Sequence, residues 1–231
     1  MNYTGKDNLE IMKYAKNYNR HLLSLLNPFI YNTTNVLDFG AGSGFYIKTL
    51  IEKYTDVLFE AVEIDVILNK TILLEGIECV QYLEDVKDKH YDLIYSFNVL
   101  EHIEDDVTVL KKLLEKLSAD GIIFIYVPAF EVLYSSMDEK VGHHRRYTKN
   151  VFKEKLKGLG LRIEMMHYVD SLGFFASLVY KYIGSSSGEI DIKSLRIYDK
   201  YLFPISKVMD LFCSSFFGKN LLVILKRDTT V

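Results

Sequence analysis

Val36-Leu37-Asp38-Phe39-Gly40-Ala41-Gly42-Ser43-Gly44-Phe45-Tyr46 joins an apolar run and an acid to three glycines at alternate positions. The pattern describes a buried strand that turns sharply into a helix. Glycine accepts φ > 0 and lets a ligand approach the backbone with no Cβ in the way. A helix opening near Gly44 aims its unpaired N–H groups at whatever fills that space. The spacing is G-x-G-x-G, not the G-x-G-x-x-G of dinucleotide sites. The next apolar run, 57–62, ends at Glu63. A carboxylate roughly 20 residues beyond the glycines is placed to accept hydrogen bonds from both hydroxyls of a ribose. Turn and acid together read as a site for a nucleoside-containing cofactor.

Working outward, apolar runs alternate with helical patterns from 35 to 127. Strands are expected at 35–39, 57–62, 77–81, 91–97 and 121–127, with helices near 45–54, 66–75 and 105–118. That rhythm implies a parallel sheet covered by helices on both faces. Ligands of such sheets sit outside the C-terminal strand ends, where Asp38, Glu63, Phe97 and Pro128 all fall. Asp65 reads as the N-cap of the following helix. Residues 8–27 carry Leu9, Met12, Ala15, Tyr18, Leu22 and Leu25 at helical spacing and read as one amphipathic helix closed by Pro28. Beyond Pro128 the pattern changes to a long loop at 128–147, a short helix at 148–159 and a strand at 161–170. Two apolar helical stretches follow, 172–183 and 196–217, separated by the flexible Gly184-Ser185-Ser186-Ser187-Gly188. Asn220-Leu221-Leu222-Val223-Ile224-Leu225 is a final buried strand.

The 231 residues fit one domain with a substantial core. A formal charge of −3 argues against nucleic acid as a partner. Cys79 and Cys213 lie far apart in apolar settings and read as reduced core residues of a cytoplasmic protein, so no disulfide or metal ligand set is expected. The first residues lack a signal peptide's apolar segment, and no run of about 18 apolar residues predicts a membrane span.

The chain resembles the class I S-adenosylmethionine-dependent methyltransferases. Val36–Gly44 is similar to that family's first motif and Val62-Glu63-Ile64-Asp65 to its second. Tyr91-Asp92-Leu93-Ile94-Tyr95-Ser96-Phe97-Asn98-Val99-Leu100-Glu101-His102-Ile103 is similar to its fourth-strand signature. The likeness covers roughly residues 34 to 127. It implies an α/β fold with a Rossmann-like, seven-stranded, mostly parallel sheet, helices on both faces, an antiparallel last strand and a helical insertion before it. The implied organisation is a single methyltransferase domain over 1–231, with a helical cap at 1–34, a cofactor core at 35–127, a substrate side at 128–218 and the last strand at 219–226. S-adenosylmethionine is the implied cofactor and S-adenosylhomocysteine the product. Asp38 would orient the methionine end. Gly40, Ala41, Gly42, Gly44, Phe45 and Tyr46 would cradle the cofactor, and Glu63 with Ile64 would take the ribose. Leu83 and Glu84, with Asp85, are the candidates for the adenine pocket after the third strand. Phe97, Asn98 and Val99 would make backbone and apolar contacts, and His102 would lie near the methyl group.

The segment Val127-Pro128-Ala129-Phe130, Leu133-Tyr134-Ser135, Asp138 and Gly142-His143-His144-Arg145-Arg146-Tyr147 resembles a bacterial subgroup met beside glycan and lipid-linked sugar assembly enzymes. His143, Arg145, Arg146 and Tyr147 match that pattern; His144 falls on a variable position. Adjacent arginines suggest an acidic group on the acceptor, with one guanidinium structural and one facing substrate. A hydroxyl acceptor needs a base, and His143 is the leading candidate with His102 its rival. The expected reaction is therefore methyl transfer to oxygen of a small-molecule or glycan-type acceptor. The rivals are a nicotinamide-dependent Rossmann oxidoreductase and a non-catalytic cofactor-binding module. The apolar tail helices read first as core or a homodimer face, and second as a lipid groove or a helix lying on a membrane surface.

Overall fold

The computed structural model describes residues 6–31, 33–183 and 188–228. The first five residues and residues 184–187 of the Gly/Ser linker therefore lie outside the described residues. The chain runs α1 (Lys6–Met12), α2 (Lys16–Ile30), β1 (Asn35–Phe39), α3 (Phe45–Lys53), β2 (Leu58–Val62), α4 (Val66–Leu74), β3 (Glu78–Val80), β4 (Tyr91–Phe97) and α5 (Asp106–Lys116). It continues with β5 (Leu117–Pro128), α6 (Ser136–Val141), α7 (Lys149–Leu156), β6 (Leu161–Val169), α8 (Ser171–Ile183), α9 (Ile192–Ile197), α10 (Phe203–Cys213) and β7 (Asn220–Arg227). The seven strands form one sheet in the order β3-β2-β1-β4-β5-β7-β6. Pairing is parallel from β3 to β5, and β7 runs antiparallel to both β5 and β6. This is the mostly parallel, seven-stranded Rossmann-like sheet with an antiparallel last strand.

The central strands are buried on both faces, as their near-continuous apolar runs require. One face packs Leu37, Ile94, Ile125 and Val223 with α5 and α7; the other packs Val36, Leu93, Phe124 and Ile224 with α2 and α3. The order reverses between β1 and β4, so the crevice that receives ligands opens at the C-terminal ends of those strands. The turn after β1, the end of β2 and the segment after β4 all reach it.

Three expectations need correction. Residues 8–27 are not one helix: α1 ends at Met12, and the next turn tightens before α2 begins. The break is imposed from far away. Asp199 accepts the backbone N–H groups of Asn17 and Tyr18 at 3.0 and 2.8 Å and thereby caps α2. Pro28 does not close the helix but sits inside its last turn, where only one backbone bond is forfeited. Residues 128–147 are not a bare loop. Glu131–Leu133 make a 3-10 turn, and α6 starts at a capping box of Ser135 and Asp138. The stretch 196–217 is likewise not one helix: it starts at the end of α9, passes through a π-helical turn at Tyr198–Leu202 and continues as α10, which ends at Cys213.

The tail docks through a buried carboxylate. Asp170 Oδ1 accepts from Gly173 N at 3.0 Å and Ser206 Oγ at 2.8 Å, and also from the Tyr198 hydroxyl. Ser206 in turn accepts from Leu172 N at 2.8 Å. Ser206→Ala should therefore lower unfolding free energy by about 1–3 kcal/mol, read from a urea transition, because a fully buried carboxylate and an amide each lose a partner.

Candidate functional site

The glycine turn is built as its spacing demands. Gly40, Gly42 and Gly44 hold φ of +83°, +57° and +73°. Gly40 N and Ala41 N donate to Val62 O at 2.9 and 3.1 Å, which fastens the turn to the end of β2. A Cβ on Gly40 would lie 2.4 Å from Val99 Cγ2, so the segment after β4 packs against bare backbone. No side chain caps α3 at Gly44.

The turn forms one wall of a cleft. Asp38, Gly40, Ala41, Gly42, Ser43, Phe45, Tyr46 and Phe97 line it, and Leu9, Met12, Lys13 and Asn19 from the N-terminal helices close it. Asp38 is almost wholly buried, and Oδ2 accepts from the Tyr95 hydroxyl at 2.7 Å. Burial pushes its carboxyl up to about 7, against the lowering effect of that hydrogen bond. Tyr46 donates to Asn19 Oδ1 at 2.8 Å and stacks edge-on to Phe97.

Glu63 ends β2 with its carboxylate turned onto the glycine turn. One oxygen accepts from Gly42 N at 2.7 Å and the other from Asp65 N at 2.8 Å. Ile64 beside it stays half exposed. Asp65 caps α4 through Ile67 N and Leu68 N, as its position predicts. Beyond β3, Leu83 packs into the core with Val62 and Val86. Glu84 does not join the cleft: it is exposed and paired with Lys112, because a carboxylate at the surface gains more from a neighbouring ammonium than from burial. Asn98 takes φ +54° and carries the chain from Phe97 to Val99.

The 3-10 turn Leu100–His102 then brings Glu101 and His102 against His143, which follows α6. The two imidazoles meet edge-to-face with centroids 4.6 Å apart. His143 Nδ1 lies 2.6 Å from Asp138 Oδ1. A carboxylate only accepts, so Nδ1 carries the proton and Nε2 offers its lone pair. Burial and the neighbouring His143 lower His102 to about 4. Glu101 is fully buried, its closest approach to His143 Nε2 is 3.7 Å, and burial raises its carboxyl to about 8. Neither Glu101 oxygen has a hydrogen-bond partner among the described residues.

The adjacent arginines do not divide between structure and substrate: both are committed within the chain. Arg146 holds Asp138 through two bonds, Nε to Oδ1 and Nη2 to Oδ2, each 2.9 Å. Arg145 pairs with Asp106 at 3.0 Å and donates to Glu104 O at 2.8 Å. Tyr147 is buried, its hydroxyl donating to Asp106 Oδ2 at 2.7 Å. A planar guanidinium beside a buried carboxylate is held by that carboxylate first, since an unpaired charge there would be costly. The acidic acceptor group inferred from these arginines thus loses its support.

Some site residues escaped the sequence reading. Glu101 looked like a helix-start acid, although its setting in Val99-Leu100-Glu101-His102-Ile103 is apolar enough to signal burial. Asp138 was read only as part of the Val127–Tyr147 pattern, not as the residue that binds both His143 and Arg146. Leu9, Met12, Lys13 and Asn19 carried no signal for the cleft. Nor did Asp170 and Lys219, which line a second, smaller cavity with Met12 and Tyr18.

Arg146→Ala should cost about 3–5 kcal/mol of stability, since buried Asp138 would lose its one guanidinium and keep only His143 and the Ser135 cap. A loss under about 1 kcal/mol in chemical denaturation would instead mean that the arginine is free to serve a ligand.

Solved structures of low identity share this fold. A SAM-dependent methyltransferase from Archaeoglobus fulgidus is 17% identical, with 95% of this chain and 98% of that one covered at a TM-score of 0.63. Coclaurine N-methyltransferase, bound to N-methylheliamine and SAH, is 15% identical over 90% and 72% of the two chains at 0.60. An O-methyltransferase from a trans-AT PKS multienzyme of Brevibacillus brevis, in complex with S-adenosyl-L-homocysteine, is 18% identical over 87% and 68% at 0.56. No curated protein matches the chain in sequence. The family model described as a methyltransferase domain matches residues 11–165, the span from the end of α1 to β6 that holds the glycine turn, Glu63 and the Glu101–His143 cluster, and the chain belongs to that methyltransferase family.

Proposed function

We propose that the protein transfers the methyl group of S-adenosylmethionine to a hydroxyl of a small-molecule or glycan-type acceptor, working as a single domain over 1–231. The observation that carries this reading is the convergence of Asp38, the glycine turn and Phe97 on one cleft, with Glu63 bonded to the turn. Asp38 takes the cationic amino group of the methionine end, and the bare backbone of Gly40 and Gly42 admits the cofactor closely. Glu63 takes the ribose hydroxyls while it fixes the turn. Phe97, Phe45 and Tyr46 supply apolar surface. Glu84, paired with Lys112, has no part; Leu83 contributes to the adenine end only by packing.

Methyl transfer from a sulfonium is an in-line displacement whose thioether leaving group needs no proton. The protein has to align the reactants and exclude water. An acceptor hydroxyl must also lose its proton, and the Glu101–His102–His143 cluster, carried in part by the segment that follows β4, supplies the groups to assist that loss. Oxygen is favoured over nitrogen on this ground. The internal pairing of Arg145 and Arg146 removes the reason to require an anionic acceptor.

Calorimetric titration with S-adenosylmethionine, S-adenosylhomocysteine and NADH tests the reading: the first two should bind, and binding of NADH alone would overturn it. Affinity for the methionine-bearing ligands should also rise with pH. The folded Asp38 keeps its proton up to about 7, and the cation prefers the ionised form, so binding tightens as pH climbs through that value. The same shift means that the ligand-free protein loses stability between the ordinary carboxylate value of 3.8 and about 7, because the folded state alone holds the proton there. An affinity that is flat across neutrality would remove Asp38 from the cation site.

A further inference from the structure

We propose that Glu101, His102 and His143 bind a divalent transition-metal cation. The sequence had led us to expect no metal ligand set, and the cysteines still offer none. The three residues each offer one ligand atom, and these atoms all lie within 4.8 Å of one another. Acidic clusters on a surface form without meaning, but this carboxylate is not on the surface. Glu101 has 0% exposure, and both of its oxygens lack a hydrogen-bond partner among the described residues. A buried carboxylate left that way is unfavourable, and a cation is the partner that would relieve it. His143 alone cannot. At 3.7 Å its Nε2 is too far from Oε1 for a hydrogen bond, and its proton is already given to Asp138 through Nδ1.

The surroundings orient both imidazoles as ligands. His143 donates from Nδ1 to Asp138, itself clamped by two N–H groups of Arg146, so Nε2 faces Glu101 with a lone pair. The His102 ring hydrogen-bonds the backbone at Gly142 and Val141, which holds it edge-on to His143. A ligating histidine whose far nitrogen donates to a carboxylate or a carbonyl is the usual outer shell of a metal site. Metal bonds of about 2.1 Å place ligand atoms roughly 3.4 Å apart, so the Glu101–His143 pair at 3.7 Å is nearly at its spacing and the widest separation must close by up to about 1.4 Å.

Two imidazoles and one carboxylate suit Zn²⁺, Fe²⁺, Co²⁺ or Mn²⁺ better than Mg²⁺ or Ca²⁺, which favour oxygen. Three protein ligands leave at least one coordination position open. On the reading under Proposed function, the acceptor oxygen takes that position. Its O–H bond breaks with the proton passing to water, the oxygen lone pair forms the new O–CH₃ bond, and the S–CH₃ pair stays on sulfur.

The test uses the full chain, stripped with a chelator and titrated separately with Co²⁺, Zn²⁺, Mn²⁺ and Mg²⁺. We expect one equivalent of Co²⁺ with the visible bands of a nitrogen- and oxygen-ligated site, and little response to Mg²⁺. Glu101→Gln and His143→Ala should each weaken Co²⁺ binding by about tenfold or more. Titration of the same variants with S-adenosylhomocysteine checks that they fold and bind the cofactor. Should both variants fail to fold, His102→Ala on the wild-type background and the Co²⁺ spectrum of the wild type carry the decision. No Co²⁺ uptake by a wild-type protein that binds S-adenosylhomocysteine would overturn the metal site and leave the methyltransferase reading standing. Undiminished Co²⁺ affinity in folded Glu101→Gln would overturn it too. Metal uptake without any cofactor binding would support the site and count against the function proposed above.

Discussion

The missing side chain at Gly40 is the constraint from which the rest of the site follows. Val99 occupies the space where a Cβ would be, with only 2.4 Å between that position and Cγ2. First and third motifs therefore touch through bare backbone, and the turn after β1 cannot move without the segment after β4. Glu63 completes the arrangement from the side. It ties Gly42 N to Asp65 N, so the glycine turn and the start of α4 share one carboxylate. Positive φ at three alternate glycines makes this loop geometry cheap, since each would be strained in any other residue. The three strand ends are held in register by these few polar bonds, while the apolar runs beneath supply the stability.

A second set of buried charges organises the other side of the crevice. Asp138 is the hub: it holds Arg146 by two bonds, orients His143 and completes the Ser135 cap of α6. Burial alone would raise its carboxyl, but the hydrogen bonds from His143 and Arg146 outweigh that and hold it well below the usual range. Asp106 is a second such hub, gathering Tyr147, Arg145 and Lys155. Such pairs add little net stability against an apolar alternative, yet each becomes costly when one partner is lost. Their value lies in fixing where the histidines point. Glu101 is the exception among these acids, buried with neither carboxyl oxygen hydrogen-bonded among the described residues.

Much of this was legible in the sequence, for a physical reason. Strand ends, glycine turns and N-caps are local, so Asp38, the turn at Gly40–Gly44 and the Asp65 cap could be read from neighbours a few residues away. The parallel strands could be read because burial on both faces leaves continuous apolar runs. What escaped was set by distant partners. The break between α1 and α2 depends on Asp199, 182 residues from Asn17. One of Arg145 and Arg146 looked available for substrate because a sequence does not reveal that Asp106 and Asp138 claim both. Glu84 looked like an adenine partner because Lys112, on α5, is remote in the chain.

The same distant contacts join the tail to the cleft. Leu9, Met12 and Lys13 form the cleft's outer wall, and the α1–α2 joint that positions them is capped by Asp199 from the turn before α10. Asn8 adds a bond from its amide to Gly188 O at 3.2 Å. On the inner side, Asp170 and Asp210 fasten α8 and α10 to the end of β6. The wall of the cleft and the tail helices thus share their anchors, and neither can be repacked alone. Meanwhile Leu211, Phe212 and Phe216 stand more than 70% exposed on the outer face of the tail. The tail is held inward both by these carboxylates and by Phe203, buried against Tyr18 in the core, whereas its outward face is apolar and lies open among the described residues. Spacing of apolar residues along the chain described those helices without locating them, because the carboxylates of Asp170, Asp199 and Asp210 that dock them find partners far away in the sequence.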